Sequence, residues 1–291
     1  MLNEVSMETT ITNLNPTVVV AAIFFGFIIL EMVLGRFFQP KGERRDALLE
    51  TIGSTLLLGV TVPAITFASA ALLGHFLPQW KDSLAGIPWI AGFALFLLLD
   101  DMTQYWWHRL AHRVPWLYDL HRAHHSAKYM SIRIVYRNNS FYYLLMPGIW
   151  LSGMLIYMGL AHVYFVYLII KLSVIFGAHS SVPWDAKLYK IKALQPLMWL
   201  VERTISTPAT HSAHHGLNAD DGVTNYKGNF GNLLFFWDVL FGTAKITRRR
   251  PTEYGIENIR PASWQQELFW PLVRKPARRK KPAAPTTEAS S

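Results

Sequence analysis

The stretch LAGIPWIAGFALFLLLDDMTQYWWHRLAH, residues 84–112, decides the fold. Residues 84–99 carry no charge, and the run passes Asp100 and Asp101 to reach Trp106, Trp107, His108 and His112. A run of this length and apolarity predicts a membrane-spanning helix. The paired tryptophans suit its edge, where amphipathic rings collect. A spacing of four puts His108 and His112 on one helical face, a turn apart. The segment therefore reads as a helix that crosses a bilayer and carries imidazoles where it emerges.

Three other runs extend this reading. Residues 17–34 are apolar except for Glu31, and residues 51–80 are uncharged, with Pro63 predicting a kink. Residues 138–182 hold one charge, Lys171. They are too many for one crossing and fit two spans with a turn near 159–162. Only 16% of the chain is charged, against roughly a quarter in soluble proteins, while 51% is hydrophobic. The expected fold is an all-α, polytopic membrane helical bundle of about five crossings, one pair forming a helical hairpin.

Basic residues orient it. Lys41, Arg44 and Arg45 follow the first span. Arg109, Arg113, Arg122, Lys128, Arg133 and Arg137 follow the third, and nearly all the rest lie after Val182; Lys81 alone falls on the other side. The positive-inside rule then predicts an integral multi-pass protein with its N-terminus on the far side and a cytoplasmic helical cap. A net charge of +9 is accounted for by such loops near anionic lipid, and no nucleic-acid partner is expected. The start of the chain lacks the basic region and cleavage site of a signal peptide, so the first span is expected to be retained.

Four regions are expected: two membrane spans over 1–83, a histidine-bearing catalytic domain over 84–250, an interfacial segment over 251–273, and a disordered basic tail over 274–291. Residues 187–206 alternate apolar and basic side chains, predicting a helix in the membrane interface; 264–270 is a second, weaker candidate. Arg278 to Lys281 would meet anionic lipid.

Eight of the eleven histidines fall in three clusters: His108 with His112; His121, His124 and His125; and His211, His214 and His215. All are predicted on the cytoplasmic face, with His75 and His162 opposite. Thr207-Pro208 is a helix start ahead of the third cluster. One metal ion cannot take eight imidazoles, but two with four or five each can. Imidazole suits iron, zinc, copper and nickel, and the absence of cysteine excludes thiolate zinc sites, iron–sulfur clusters and disulfides.

These clusters resemble the HxxxH, HxxHH, HxxHH set of the fatty acid hydroxylase / sterol desaturase superfamily. Asp101-Met-Thr-Gln-Tyr-Trp-Trp-His108-Arg is similar to the family's D-x-x-Y-Y-W-x-H-R segment, with Gln104 replacing the first tyrosine. Ala178-His179-Ser-Ser-Val-Pro-Trp184 resembles its H-x-N-V-x-x-P element, with Ser181 in place of asparagine. Thr207-Pro208, Asn229-Phe-Gly231 and Trp237-Asp238-Val-Leu-Phe-Gly242-Thr243 also fit, so the resemblance covers about residues 95–243.

The resemblance implies a non-haem di-iron oxidoreductase. It would use O2 to hydroxylate or desaturate an unactivated C–H bond of a membrane lipid: a sterol, fatty acyl chain or aminolipid. It adds His179 to the eight clustered metal ligands. Asp101 and Asp238 are expected to support ligands from behind or to serve as hydrogen-bonded helix-end carboxylates, and Asn229 to bind a ligand water or face the iron's open side. Lys171 is expected to snorkel toward the cytoplasm. With no redox cofactor motif visible, two electrons per turnover must come from an external reductase or ferredoxin-type donor. Arg109, Arg113, Arg122 and Lys128 would steer such a donor or hold the loop at lipid headgroups. The alternative function is a membrane metal-binding or metal-transport protein, whose site would sit nearer mid-membrane. A zinc hydrolase would want an H-E-x-x-H motif, which the chain lacks.

Overall fold

In a computed structural model, residues 16–39, 41–259 and 262–273 are described. The tail expected to be disordered, with Arg278 to Lys281, lies outside them. Among the described residues there is no β-strand, only isolated bridges such as Ile205 with Leu234.

The bundle is built from α1 (Pro16–Val33), α2 (Arg44–Phe76), α3 (89–111), α6 (Pro147–Leu155) and α7 (Ala161–His179). Between α3 and α6 come α4 (Pro115–His125) and α5 (Ser140–Leu144). After α7 follow α8 (Trp184–Leu188), α9 (Gln195–Thr204), α10 (Pro208–His214), α11 (Phe236–Leu240) and α12 (Trp264–Phe269). Arg44–Phe76 and Pro147–His179 are long and apolar enough to cross a membrane, and Val18–Val33 is a shorter apolar helix.

Contacts give the direction of each segment. On α3, Asp100 lies against Gly148 at the start of α6 and bonds Lys171 of α7, whereas Gly159, between those helices, lies against Ala85. The chain therefore leaves the level of Asp100 and returns to it. Gly159 makes the reversal at φ 101°, which a Cβ would disfavour. This is the hairpin turn expected at 159–162. Phe24 of α1 packs on Phe176 of α7, and Glu31, further along α1, bonds Ser180 and Ser181 just past the end of α7, so those helices run the same way. α2 runs oppositely, from Glu50 beside Arg133 to Gly74 beside Tyr157. The ends of α1, α3 and α7 thus gather with the start of α2 under a helical cap.

Several details differ from the sequence expectations. The bend near Pro63 is a π turn, Leu57–Thr61: without an N–H at Pro63 the regular ladder cannot continue past it. Residues 187–206 are not one helix, because Pro196 sets a new helix start and α9 begins at Gln195. Leu197, Trp199 and Leu200 of α9 are exposed. The segment 264–270 is not a free surface helix either: Leu268 is fully buried and Glu267 pairs with Arg122 at 3.1 Å. Lys171 does not snorkel. It is buried and bonds Asp100 at 2.7 Å, since a carboxylate one helix away meets its charge without a reach to water.

Candidate metal centre

α3 delivers His108 and, just past its end, His112. α4, started by Pro115, delivers His121, His124 and His125. α7 ends on His179. α10 delivers His211 and His214, with His215 following, and is started by a reciprocal cap between Thr207 and Thr210. These nine rings meet in one buried core but divide into two groups. His108, His112, His121, His125 and His214 form one; His124, His179, His211 and His215 form the other. Within each, the donor nitrogens all lie within 4.8 Å of one another. Every ring is buried except His112, which is partly so.

The division follows helix geometry. Residues four apart are displaced by about 40° around the axis, whereas residues three apart are displaced by about 60° the other way. His121 and His125 therefore share a group, as do His211 and His215, while His124 and His214 turn toward the other one.

Backbone carbonyls fix the rings. The Nδ1–H groups of His108 and His214 donate to Phe230 O and Gly228 O, both at 2.7 Å. Those of His124 and His179 donate to Ile134 O at 3.0 Å and Ile175 O at 2.8 Å, and His121 Nδ1 donates to Asn138 Oδ1 at 2.8 Å. A neutral imidazole that donates from Nδ1 has only a lone pair at Nε2. Yet the Nε2 atoms of His108 and His214 stand 3.0 Å apart, and those of His124 and His179 stand 3.4 Å apart. Facing lone pairs at that distance repel unless positive charge lies between them. Protonation is a poor source of it, because burial first and neighbouring imidazoles second hold His124 and His214 well below the ordinary histidine pKa. A metal ion would supply the charge. Nitrogens about 2.1 Å from one ion lie about 3.0 Å apart at right angles and about 3.4 Å apart in a tetrahedron. The donor set thus fits a nitrogen-ligated metal in each group, one pinned pair serving each.

The profile of the family described as "Fatty acid hydroxylase" matches residues 93–243, which contain all nine of these histidines. The chain belongs to this family. The fatty acid hydroxylase family is membrane-associated and iron-dependent. The alkylglycerol monooxygenase of Homo sapiens is 28% identical over 237 residues, covering 80% of this chain and 48% of the relative. The Danio rerio protein of that name is 28% identical over 229 residues, covering 76% of this chain and 46% of the relative, and the Xenopus tropicalis one is 25% identical over 236 residues, covering 80% and 48%. The chain spans about half the length of these curated relatives. No solved structure matches it significantly.

Around the fatty acid hydroxylase histidines, the other predicted residues have definite places. Asp238 accepts from the backbone of Phe230 and Gly231 at 2.8 and 2.6 Å and from Thr243 Oγ1 at 2.6 Å, so it braces the loop whose carbonyls hold His108 and His214. Asn229 sits in that loop at φ 57° and does not face the imidazoles through a free group. Its amide donates to Thr210 O and Lys245 O, and its Oδ1 accepts from Asn225 and Lys245 N. Asp101 accepts from Trp237 Nε1 at 2.8 Å and from Leu233 and Leu234, tying α3 to α11 and the chain before it rather than to a histidine ring. His75 and His162 lie in neither group.

Sequence reading missed Asn138 and Tyr142. Asn138 holds His121, and Tyr142 stacks on the same ring with centroids 4.7 Å apart. It missed Glu31 as well. Fully buried, Glu31 accepts from Ser131 Oγ, Ile132 N, Ser180 Oγ and Ser181 N. A lone acid in an apolar run was the available signal for it.

A cavity of about 70 Å³ lies against the site, walled by His108 and His121 of one group, His124 and His179 of the other, and Met146 and Ile175. Ile175 precedes His179 by one helical turn toward the bundle, so the cavity opens beneath the imidazoles, on the side of the apolar helices. It touches both groups.

Proposed function

We propose that the chain is an O2-dependent lipid hydroxylase whose nine imidazoles hold two iron ions, five on one and four on the other. The observation that carries this is the pair of facing Nε2 lone pairs in each group, beside an apolar-sided cavity that touches both. When bound, iron supplies the means to activate O2 and oxidise an unactivated C–H bond. The protein's own part is positional. Carbonyls of residues 228, 230, 134 and 175 hold the rings with their lone pairs inward. Met146, Ile175 and Tyr142 shape an apolar approach that keeps bulk water from the reacting carbon.

The names of the relatives favour hydroxylation over desaturation and make a glycerol ether lipid the first substrate to test. The transport alternative gains nothing from rings locked to backbone carbonyls, which are built to retain a metal rather than pass it on.

Five helical segments running alternately between the two ends of the bundle support five crossings, with the cap on the cytoplasmic side by its basic residues. Exposed Leu197, Trp199 and Leu200 on α9 would rest in the interface. Electrons would come from a separate donor. Any docking surface excludes Arg122, which is buried against Glu267, while Arg113 and Lys128 remain exposed.

The test is purification in detergent, metal analysis, and O2 uptake with a 1-O-alkylglycerol, a reductase and a ferredoxin-type donor. Two irons per chain and a lipid product heavier by one oxygen are expected. Iron-loaded protein with no lipid-dependent uptake, given a donor shown to reduce it, would refute the reading. Reporter fusions after Lys81 and after the C-terminus should report opposite compartments.

A further inference from the structure

The cavity beneath the imidazoles is not uniformly apolar. Asn138, also in its wall, is fully engaged, accepting from His121 and donating to Tyr143. Two other lining residues carry buried polar atoms without a hydrogen-bond partner: Gln104 Oε1 and Tyr136 Oη. Tyr136 is 7% exposed, its ring held by Phe24 and Phe176. Unmet polar atoms in a native interior call for an explanation, because burying each costs free energy unless something bonds it.

Position supplies one. Gln104 precedes His108 by four residues, so it sits one turn, about 5 Å, below a group-one imidazole on the same face of α3. Tyr136 reaches the same cavity from the segment between α4 and α5. An amide oxygen only accepts, whereas a phenol donates. A hydroxyl complements the two together: it donates to Gln104 Oε1 while accepting from Tyr136 O–H. A hydrocarbon leaves both unmet.

We infer that Gln104 and Tyr136 form a receptor for a substrate hydroxyl, so that the lipid oxidised here carries an OH group within a few bonds of the attacked carbon. The inference rests on the reading of this cavity as the substrate site of a lipid oxygenase. It assigns a specificity role to Gln104, the position where the family segment has tyrosine. Gln104 is one helical turn from His108, which sets the spacing: a carbon beside the polar end of the chain is placed at the metals, and one deep in the acyl tail is not.

Affinity and turnover are measured separately on iron-loaded protein in detergent. The probes are a long-chain 1-O-alkylglycerol and its di-O-methyl derivative, which keeps every oxygen but has no hydroxyl. Without O2, the wild-type protein is expected to bind the free glycerol lipid at least tenfold more tightly. Gln104→Leu and Tyr136→Phe should each cut that preference by about tenfold. Tyr136→Phe removes a single atom, and iron content and thermal midpoint report whether each variant is folded. Equal wild-type affinity for the two lipids would overturn the receptor, as would folded variants that keep the full preference. If the preference and its loss are seen but no lipid is oxidised in the presence of donor and O2, the receptor stands and the oxygenase reading fails.

Discussion

His108 and His214, 106 residues apart in sequence, present Nε2 atoms 3.0 Å from each other while donating from Nδ1 to the carbonyls of Phe230 and Gly228. One short loop thus aims two imidazoles from different helices at one point. The loop is held in turn by Asp238, which takes the N–H groups of Phe230 and Gly231.

Asp238→Asn should therefore act at a distance. An amide turned into that position sets an NH2 against backbone donors, and the loop carbonyls lose their brace. Affinity for the metal of the five-histidine group is expected to fall by about 10–100-fold, as for other residues that orient ligands from behind. Chelator competition on the purified protein checks this; unchanged retention of both metals would remove Asp238 from the support of the site.

The two groups should also be separable. His211→Ala removes a ligand of the four-histidine group alone, and His112→Ala one of the five-histidine group alone. Each variant should hold about one metal per chain by elemental analysis where the wild type holds two, and both should lose turnover. His75→Ala and His162→Ala should change neither quantity. A wild-type protein with one metal, or a His211→Ala variant that keeps two, would contradict the division.

Much of this candidate centre was legible in the sequence because its histidines come at helical spacings on few helices. Spacing alone placed His108 with His112 and singled out three clusters as candidate ligand sets. It did not show that each of the last two clusters splits between the two histidine groups, since that depends on where the helices meet. The carbonyls of residues 134, 228 and 230 were invisible for another reason: every residue has one, and only the tertiary fold selects which will hold a ring. Arg137 illustrates the same limit. Among the basic residues after the third span it read as a loop cation, yet it is fully buried. The charge pattern gave an orientation, but not the carboxylates that α2 would bring to meet this one.

Arg137 bonds Asp46 at 2.6 Å, Ala123 O at 2.9 Å and Ser126 Oγ at 3.0 Å, fastening the end of α4 to the start of α2. Arg137→Met leaves Asp46 with a buried, poorly compensated charge. A loss of about 3–5 kcal/mol is expected. Arg137→Met with Asp46→Leu should recover part of it, because the stranded carboxylate is then gone as well. Thermal or detergent-denaturation midpoints of the two variants check the order, and a double variant less stable than the single one would show that the ion pair is not what holds these helices.

Glu31 offers the complementary test to Asp238. Its carboxylate accepts from Ser131 and Ile132 on one side, and from Ser180 and Ser181 on the other. The first pair begins the turn whose Ile134 carbonyl holds His124; the second pair directly follows His179. Both of these histidines belong to the four-histidine group. In Glu31→Gln one acceptor oxygen becomes an NH2 that faces existing donors, at a cost of about 1.5–3 kcal/mol for lost bonds to a charged group. The damage should fall on that group: its metal should leave in a chelator titration at a concentration about tenfold lower than in the wild type, while the five-histidine group keeps its own. Asp238→Asn should show the reverse order of loss. If both variants release the two metals together, the groups are not independently supported, and α1 is a structural prop rather than part of the support of one metal.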